Sequence, residues 1–379
     1  MSSERSILIY RDELLGASET FISAQAESLS HFRPFYLGLR QIPGLPLPQG
    51  RFHFVSRDGL AGKLKRACFR MFGPGVMLRR RLAALEPALV HAHFAPDACN
   101  ALAAARALRV PLVASFHGYD LTVRDDYQSS YYLRRRDDLK IQGSRFLCVS
   151  NFIRKQALAK GFPAEKTVVH YTGVNVDFFQ PDRRVKRSPI VLFVGRLVPK
   201  KGCEYLIRAM ADVQRVAPEA KLVIIGEGPL RATLQVLASA TVKDFEFLGA
   251  QKPEVVREKM NQATVFCTPS VVSETGDAEG FGMVFVEAQA MGLPVVSFAS
   301  TSLPEAVADE QTGFLAPERE WQALAAKILL LLKDKSLWAQ FSKAGESRVR
   351  RQFNLRTQAR ALELIYEHVI EEWCRTRTP

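Results

Sequence analysis

At 379 residues, with 47% hydrophobic and 24% charged side chains, the chain has an ordinary globular balance and enough length for two domains with a core each. No apolar run is long enough to span a bilayer, and the N-terminus leads straight into a strand-like Ile7-Leu-Ile-Tyr10 without a signal-peptide layout. Cys68, Cys99, Cys148, Cys203, Cys267 and Cys374 stand far apart, which excludes a Cys-x-x-Cys zinc site and a disulfide framework and points to free thiols in the cytosol.

The net charge is +13, and residues 1–180 hold most of the excess, with 25 Lys/Arg against 15 Asp/Glu. Nucleic acid, anionic lipid and phosphate-bearing substrates are therefore candidate partners, and the inner face of the plasma membrane is a candidate location.

In chain order, Ile7–Tyr10 predicts a first buried strand, and Ser18 is placed to cap a helix starting near Glu19. Gly16 lies in the turn between them, where a βα unit can receive phosphate, although G-x-G-x-x-G is absent. Pro34–Leu39 is a second strand. Residues 63–81 form two short helices broken by Gly73-Pro74-Gly75, with Lys63, Lys65, Arg66 and Arg70 among Leu64, Phe69, Met71 and Phe72. This segment is either a membrane-surface patch or a solvated basic face packed on its own core. Leu89–Ala92 is a strand bearing His91 and His93, which read as structural without a third ligand nearby. Leu112–Ser115 leads into Phe116-His117-Gly118, so His117 falls at the carboxyl end of a strand, the edge where open α/β sheets bind ligands. A strand at 145–149, a helix capped by Ser150, and a strand at 168–171 complete the first half. The polar, proline-flanked stretch 181–189 reads as an interdomain linker.

The second half opens with a strand, Ile190 to Gly195, followed by Arg196 and Lys201 in the loop before a helix at Gly202. Paired cations there could clamp a diphosphate; the alternative is surface charge on a βα loop. Strands at 221–225, 245–248 and 264–268 follow, the first ending in Gly226-Glu227-Gly228-Pro229-Leu230. The chain is organised around residues 270–298. This stretch reads as an acidic loop, an apolar helix from Gly280 to Met291, a left-handed cap at Gly292 and a strand at 295–298. Gly280 and Gly282 would let backbone approach a ligand, and the amides near Phe281, Gly282 and Met283 suit phosphate. Glu279 sits just before the helix and Glu287 inside it, where a buried carboxylate requires hydroxyl or amide partners. The alternative for the two carboxylates is a helix cap and a salt bridge. Strands alternate with helices through both halves, which predicts an α/β fold of two Rossmann-like parallel-sheet domains facing a cleft.

Glu279, seven residues, then Glu287, embedded in Glu-Gly-Phe-Gly-Met-Val-Phe-Val-Glu-Ala-Gln-Ala-Met-Gly-Leu-Pro, resembles the signature of glycosyltransferase family 4. The Gly195-Arg196-Leu-Val-x-x-Lys201-Gly run is similar to that family's diphosphate loop. The turn Gly226, Gly228, Leu230 is similar to its nucleotide-cleft lining. Ser18-Glu-Thr-Phe-Ile resembles the first loop of its exopolysaccharide and lipopolysaccharide branch, with Gly16-Ala17 in place of the usual Gly-Gly.

The resemblance implies a GT-B fold. Residues 1–180 would be the acceptor domain and 190–354 the nucleotide-sugar domain, with the last helix, 355–379, returning to the first. It implies a retaining transfer of a hexose, GDP-mannose being the first choice, to a saccharide hydroxyl, with a lipid-linked acceptor. Glu279 and His117 would approach the donor sugar, Arg196 and Lys201 would neutralise the leaving diphosphate, Glu287 would hold the ribose, and Gly16 would contribute from the first domain. It also implies metal independence, in line with the lack of an Asp-x-Asp motif, and no cofactor. Rival readings are a phosphorylase or nucleotide-sugar hydrolase or epimerase of the same fold, and a basic nucleic-acid-binding protein, against which the lack of a recognition motif weighs.

Overall fold

The computed structural model describes residues 4–376 apart from 17, 18, 43, 47, 57 and 58. The expected cap Ser18 thus lies outside the described residues. The chain divides into two compact units, Met1–Gly173 with Leu355–Pro379, and Val174–Asn354.

The first unit is built on seven parallel strands: β1 (Arg5–Leu14), β2 (Phe32–Gln41), β3 (Phe52–Phe54), β4 (Val90–His93), β5 (Leu112–Phe116), β6 (Arg145–Cys148) and β7 (Thr167–Val169), in the order β3-β2-β1-β4-β5-β6-β7. Helices cover both faces, so the central strands are apolar without alternation: Ile7, Leu8, Ile9 and Tyr10 are all buried. The strand order reverses at β1, whose neighbours are β2 and β4. The carboxyl ends of β1 and β4 are therefore the edge where such sheets receive ligands. The helix Leu355–Arg375 packs on this unit. Its Tyr366 and Leu362 join the core with Ile7, Ile9 and Tyr36, and its buried Glu363 accepts hydrogen bonds from the amides of Ser30 (2.5 Å) and His31 (2.7 Å).

The second unit carries β8 (Ile190–Val194), β9 (Lys221–Ile225), β10 (Phe245–Gly249), β11 (Val265–Cys267), β12 (Val295–Phe298) and β13 (Gly313–Ala316), in the order β10-β9-β8-β11-β12-β13. All are parallel, and here the reversal falls between β8 and β11. The core joins β8, β9 and β12 to the helices Cys203–Val216 and Trp321–Lys333 through Phe193, Ile207, Met210, Phe298 and Ile328.

Two boundaries differ from the sequence reading. The long segment of the first unit ends at Gly173, and residues 181–189, read as the interdomain linker, fall within the second unit. The Arg187 guanidinium fixes that stretch by donating to the carbonyls of Met260 (2.8 Å), Ala263 (2.7 Å) and Met291 (2.6 Å), where two helices leave carbonyls unpaired. The helix expected from Gly280 begins at Met283, because Gly282 at its N-cap is left-handed (φ +81°). Gly292 does close it, with φ +61° and its amide on the carbonyl of Gln289.

Candidate active site

In the second unit the loops after β8, β9 and β11 meet at the reversal point. The loop after β8 is stitched to that after β9: the Gly195 amide donates to Ile225 (3.0 Å), Leu197 to Glu227 (2.8 Å) and Leu230 to Leu197 (3.1 Å). Gly226 makes this possible. A Cβ there would lie 1.9 Å from the Gly195 carbonyl oxygen, and its φ is +147°. Gly228 meets Leu197 in the same way. These glycines let one loop approach another, a role that precedes any contact with a ligand.

The loop between β11 and the helix Met283–Ala290 brings carboxylates to those cations. Lys201 Nζ donates to Glu279 Oε2 at 2.5 Å, with the two side chains 12% and 13% exposed. Its neighbour Lys200, overlooked in the sequence, pairs with Asp277 at 2.9 Å. Burial alone would raise the Glu279 pKa, but Lys201, Lys200 and Arg196 outweigh it and hold the carboxyl below the usual range. Arg196 is exposed and has no ion pair among the described residues. It is the cation left available to an incoming anion.

Gly282 is required as well. A Cβ would meet the Phe285 ring at 2.4 Å and Glu279 Cγ at 3.3 Å. Phe281 is buried with its ring 5.1 Å from that of Phe353, so its side chain is committed to the core. Glu287 is half-buried, and its carboxyl has no hydrogen bond or ion pair among the described residues, contrary to the expected amide or hydroxyl partners. Burial pushes it up from 4.5 to about 7, against the pull of Lys201. The salt-bridge alternative for Glu287 is thereby removed.

In the first unit, Gly16 and His117 both lie beside the reversal at β1. The Gly16 amide already donates to Glu19 Oε2 (3.3 Å), and Glu19 also pairs with the Arg11 guanidinium. Arg11 pairs in turn with Asp97 and lies 4.4 Å over the ring of Phe94. Asp97 is pushed up to about 7 by burial and by Asp12, against the pull of Arg11. His117 is held from several sides. Asp120 Oδ1 accepts from the amides of His117 (3.1 Å) and Gly118 (2.8 Å), and its Oδ2 from Ala95 (3.0 Å). Phe94 and Phe21 pack against the imidazole at 4.6 and 5.0 Å.

His91 is structural, as expected: it is fully buried between Tyr366 Oη (2.6 Å) and Ser115 Oγ (2.8 Å). His93 is buried too, and its Nδ1 lies 3.0 Å from His117 Nε2. Sequence reasoning missed Asp120, although an Asp two and three residues after the amides it binds is a local turn signal. Arg11 and Asp97, 86 positions apart, carried no such signal.

The basic segment divides. Lys63 and Lys65 are exposed, but Arg70 turns inward to Asp12 (3.2 Å) and Arg66 donates to Ser56 (3.0 Å). Both arginines are therefore largely engaged with their own unit. Around the lysines stand exposed apolar side chains that sequence reading understated: Leu60, Leu64, Met71, Phe72, Val76 and Met77. Among the described residues no helix is long and apolar enough to cross a membrane.

Comparison with known proteins bears on the family and the fold. A family model described as Glycosyltransferase Family 4 matches residues 42–178, and one described as Glycosyl transferases group 1 matches 176–348. The amylovoran biosynthesis glycosyltransferase AmsK of Erwinia amylovora is 31% identical over 288 residues, 74% of this chain and 70% of that protein. The chain belongs to glycosyltransferase family 4. Another family member, the GDP-mannose-dependent alpha-(1-6)-phosphatidylinositol monomannoside mannosyltransferase of Mycobacterium tuberculosis, is 30% identical over 76% of this chain and 79% of its own. The GT-B fold is shared with Anabaena Alr3699/HepE, solved in complex with UDP and glucose, at a TM-score of 0.77 and 20% identity, covering 95% of this chain and 99% of that one. The family assignment makes the chain a glycosyltransferase, in place of the non-catalytic reading.

Proposed function

We propose that this glycosyltransferase moves a hexose from a nucleoside diphosphate sugar to a saccharide hydroxyl with retention of anomeric configuration. The observation that carries this reading is the cationic loop Arg196–Lys201 meeting Glu279 at the carboxyl ends of β8 and β11. Arg196 and Lys201 neutralise the diphosphate as the glycosidic C–O bond breaks, with help from the main-chain amides near Gly282 and Met283. Preorganised charge of this kind is usually the largest catalytic term, and losing one such group costs about 10²-fold or more. The leaving phosphate oxygen takes the proton of the acceptor hydroxyl as the new C–O bond forms on the same face, so no covalent enzyme intermediate and no metal is needed. Glu287 receives the ribose hydroxyls, which supplies the partners its carboxyl lacks. Glu279, His117 and Gly16 contact the transferred sugar.

GDP-mannose is the first choice of donor, supported by the mannosyltransferase relatives. The acceptor is a lipid-linked saccharide of cell-surface polysaccharide assembly, supported by the relatives named for amylovoran and colanic acid biosynthesis. The enzyme works from the cytoplasm at the inner membrane face, with Lys63, Lys65 and their apolar neighbours against the lipid.

The test is thermal unfolding with GDP, UDP, ADP, CDP and their sugars, with EDTA in place of metal. A ligand at 100 times its Kd adds about 2.7 kcal/mol. Stabilisation by one diphosphate, lost in Arg196→Ala and Glu287→Ala, supports the reading, and analysis of the product's anomeric configuration tests retention. No stabilisation by any nucleotide would sink it.

A further inference from the structure

The second imidazole of β4, His93, touches the ring of His117. It sits at the end of β4, 1% exposed, and its ring neighbours two others: His91 at 4.4 Å and His117 at 5.2 Å, the latter only 22° from parallel. Its Nδ1 and the Nε2 of His117 lie 3.0 Å apart. Burial lowers the pKa of both rings, and Arg11 and the neighbouring imidazole His91 add to the effect. Both are therefore neutral at neutral pH, and a neutral imidazole has one N–H and one lone pair.

That arithmetic constrains His117. One ring of the pair must donate and the other accept, so His117 Nε2 is consumed in either arrangement. Only Nδ1 of His117 is left for a ligand, and its character is opposite to that of Nε2. If His117 donates to His93, Nδ1 is an acceptor. If His93 donates, Nδ1 carries the proton and is a donor. His93 thus sets which nitrogen His117 presents and ties the tautomer of His117 to its own. The main chain of His117 is fixed independently, by Asp120, and the ring is flanked by Phe94 and Phe21. These contacts set where the ring lies. They do not set where its proton lies, because aromatic faces and edges leave the tautomer free.

We infer that His93 is a positioning residue that locks His117 into one neutral tautomer and presents its Nδ1 to a hydroxyl of the substrate sugar. The sugar part of this statement rests on the reading of His117 as a sugar contact. A wrong tautomer would set donor against donor, or acceptor against acceptor, at that hydroxyl, which leaves a polar pair unmade on the enzyme. The arrangement resembles in its logic the orienting partners that fix catalytic and metal-bound imidazoles.

The test uses the full chain with ¹⁵N-labelled histidine, of which there are seven. In the wild type, the His117 ring nitrogens should give one pyrrole-type and one pyridine-type shift, the mark of a single tautomer. His93→Phe keeps an aromatic ring between its neighbours but removes Nδ1, and it should move the His117 shifts toward averaged values. His93→Asn, whose amide can reach the position of the imidazole Nδ1, should restore them. Glycosyl transfer should follow the same order: kcat/KM down by about tenfold or more in His93→Phe, roughly the worth of one directed hydrogen bond, expressed in kcat rather than KM, and recovered in part by His93→Asn. Averaged His117 shifts in the wild type would overturn the inference without any variant being made, so a His93→Phe chain that fails to fold does not shelter it. Equal kcat in His93→Phe and wild type, with the tautomer changed as expected, would overturn the functional half. His117→Ala separates this from the site reading. If that variant turns over normally, His117 does not touch the substrate and the sugar contact is wrong, whatever the imidazole spectra show.

Discussion

Lys201→Met is the sharpest probe of the second unit, because it removes a charge while keeping the aliphatic stem. It leaves Glu279, 13% exposed, without the ammonium 2.5 Å away. Breaking a buried pair on one side costs about 3–5 kcal/mol, and the residual exposure here puts the cost near the lower end, at about 3 kcal/mol. Arg196 and Lys200 also act on Glu279 and soften the loss. In a domain of roughly 150–250 residues each kcal/mol shifts Tm by about 2–4 °C, so the expected drop is about 6–12 °C. Calorimetry of the wild type, Lys201→Met, Glu279→Gln and the double variant closes a thermodynamic cycle, with a coupling of about 1–3 kcal/mol expected.

The pH dependence has a definite sign. Glu279 is depressed in the folded state, so its contribution to stability is complete above its ordinary value of 4.5 and is lost as pH falls through the lower folded value. The gap between wild type and Lys201→Met should therefore narrow below pH 4.5 and hold steady above it. A Tm change under about 2 °C with no coupling would refute the claim that this pair organises the site.

Gly226→Ala should destabilise by about 2 kcal/mol or more and weaken nucleotide binding, since its Cβ would sit 1.9 Å from the Gly195 carbonyl; unfolding and GDP or UDP titration measure both. Glu287 behaves oppositely to Glu279: its raised pKa means that its contribution is complete below 4.5 and is lost as pH rises toward about 7. Glu287→Gln should flatten that slope in unfolding experiments between pH 5 and 8 while weakening nucleotide binding; an unchanged slope would show the carboxyl is well solvated. Leu64→Asp with Phe72→Asp should abolish sedimentation with anionic vesicles more completely than Lys63→Glu with Lys65→Glu, and equal wild-type binding in all variants would remove the lipid surface from the proposal.

Much of the second unit was legible because its chemistry is local. The parallel strands read as short apolar runs, and the loops that follow them carry the candidate site residues. Arg196, Lys201 and Glu279 could thus be placed from sequence. What could not be read was pairing: of two adjacent lysines, Lys201 takes Glu279 and Lys200 takes Asp277, and nothing in a Lys-Lys dipeptide tells them apart. The 181–189 stretch shows the same limit. Its composition is that of a linker, but Arg187 meets helix ends more than 70 positions away, and only tertiary structure reveals those vacant carbonyls.

Charge misled in the first unit for a related reason. A count of lysines and arginines does not say which of them face solvent: Arg11, Arg70 and Arg145 pair with Glu19, Asp12 and Glu372 within their own unit. Near the segment 60–81 the cations that face solvent are Lys63, Lys65 and Arg79-Arg80-Arg81. Each such cation is worth about 1 kcal/mol beside an anionic surface, and salt screens it. Burial of Leu64, Met71, Phe72 and Met77 would not be screened. Vesicle binding driven by this face should therefore retain a salt-resistant part, which a purely basic patch would lack.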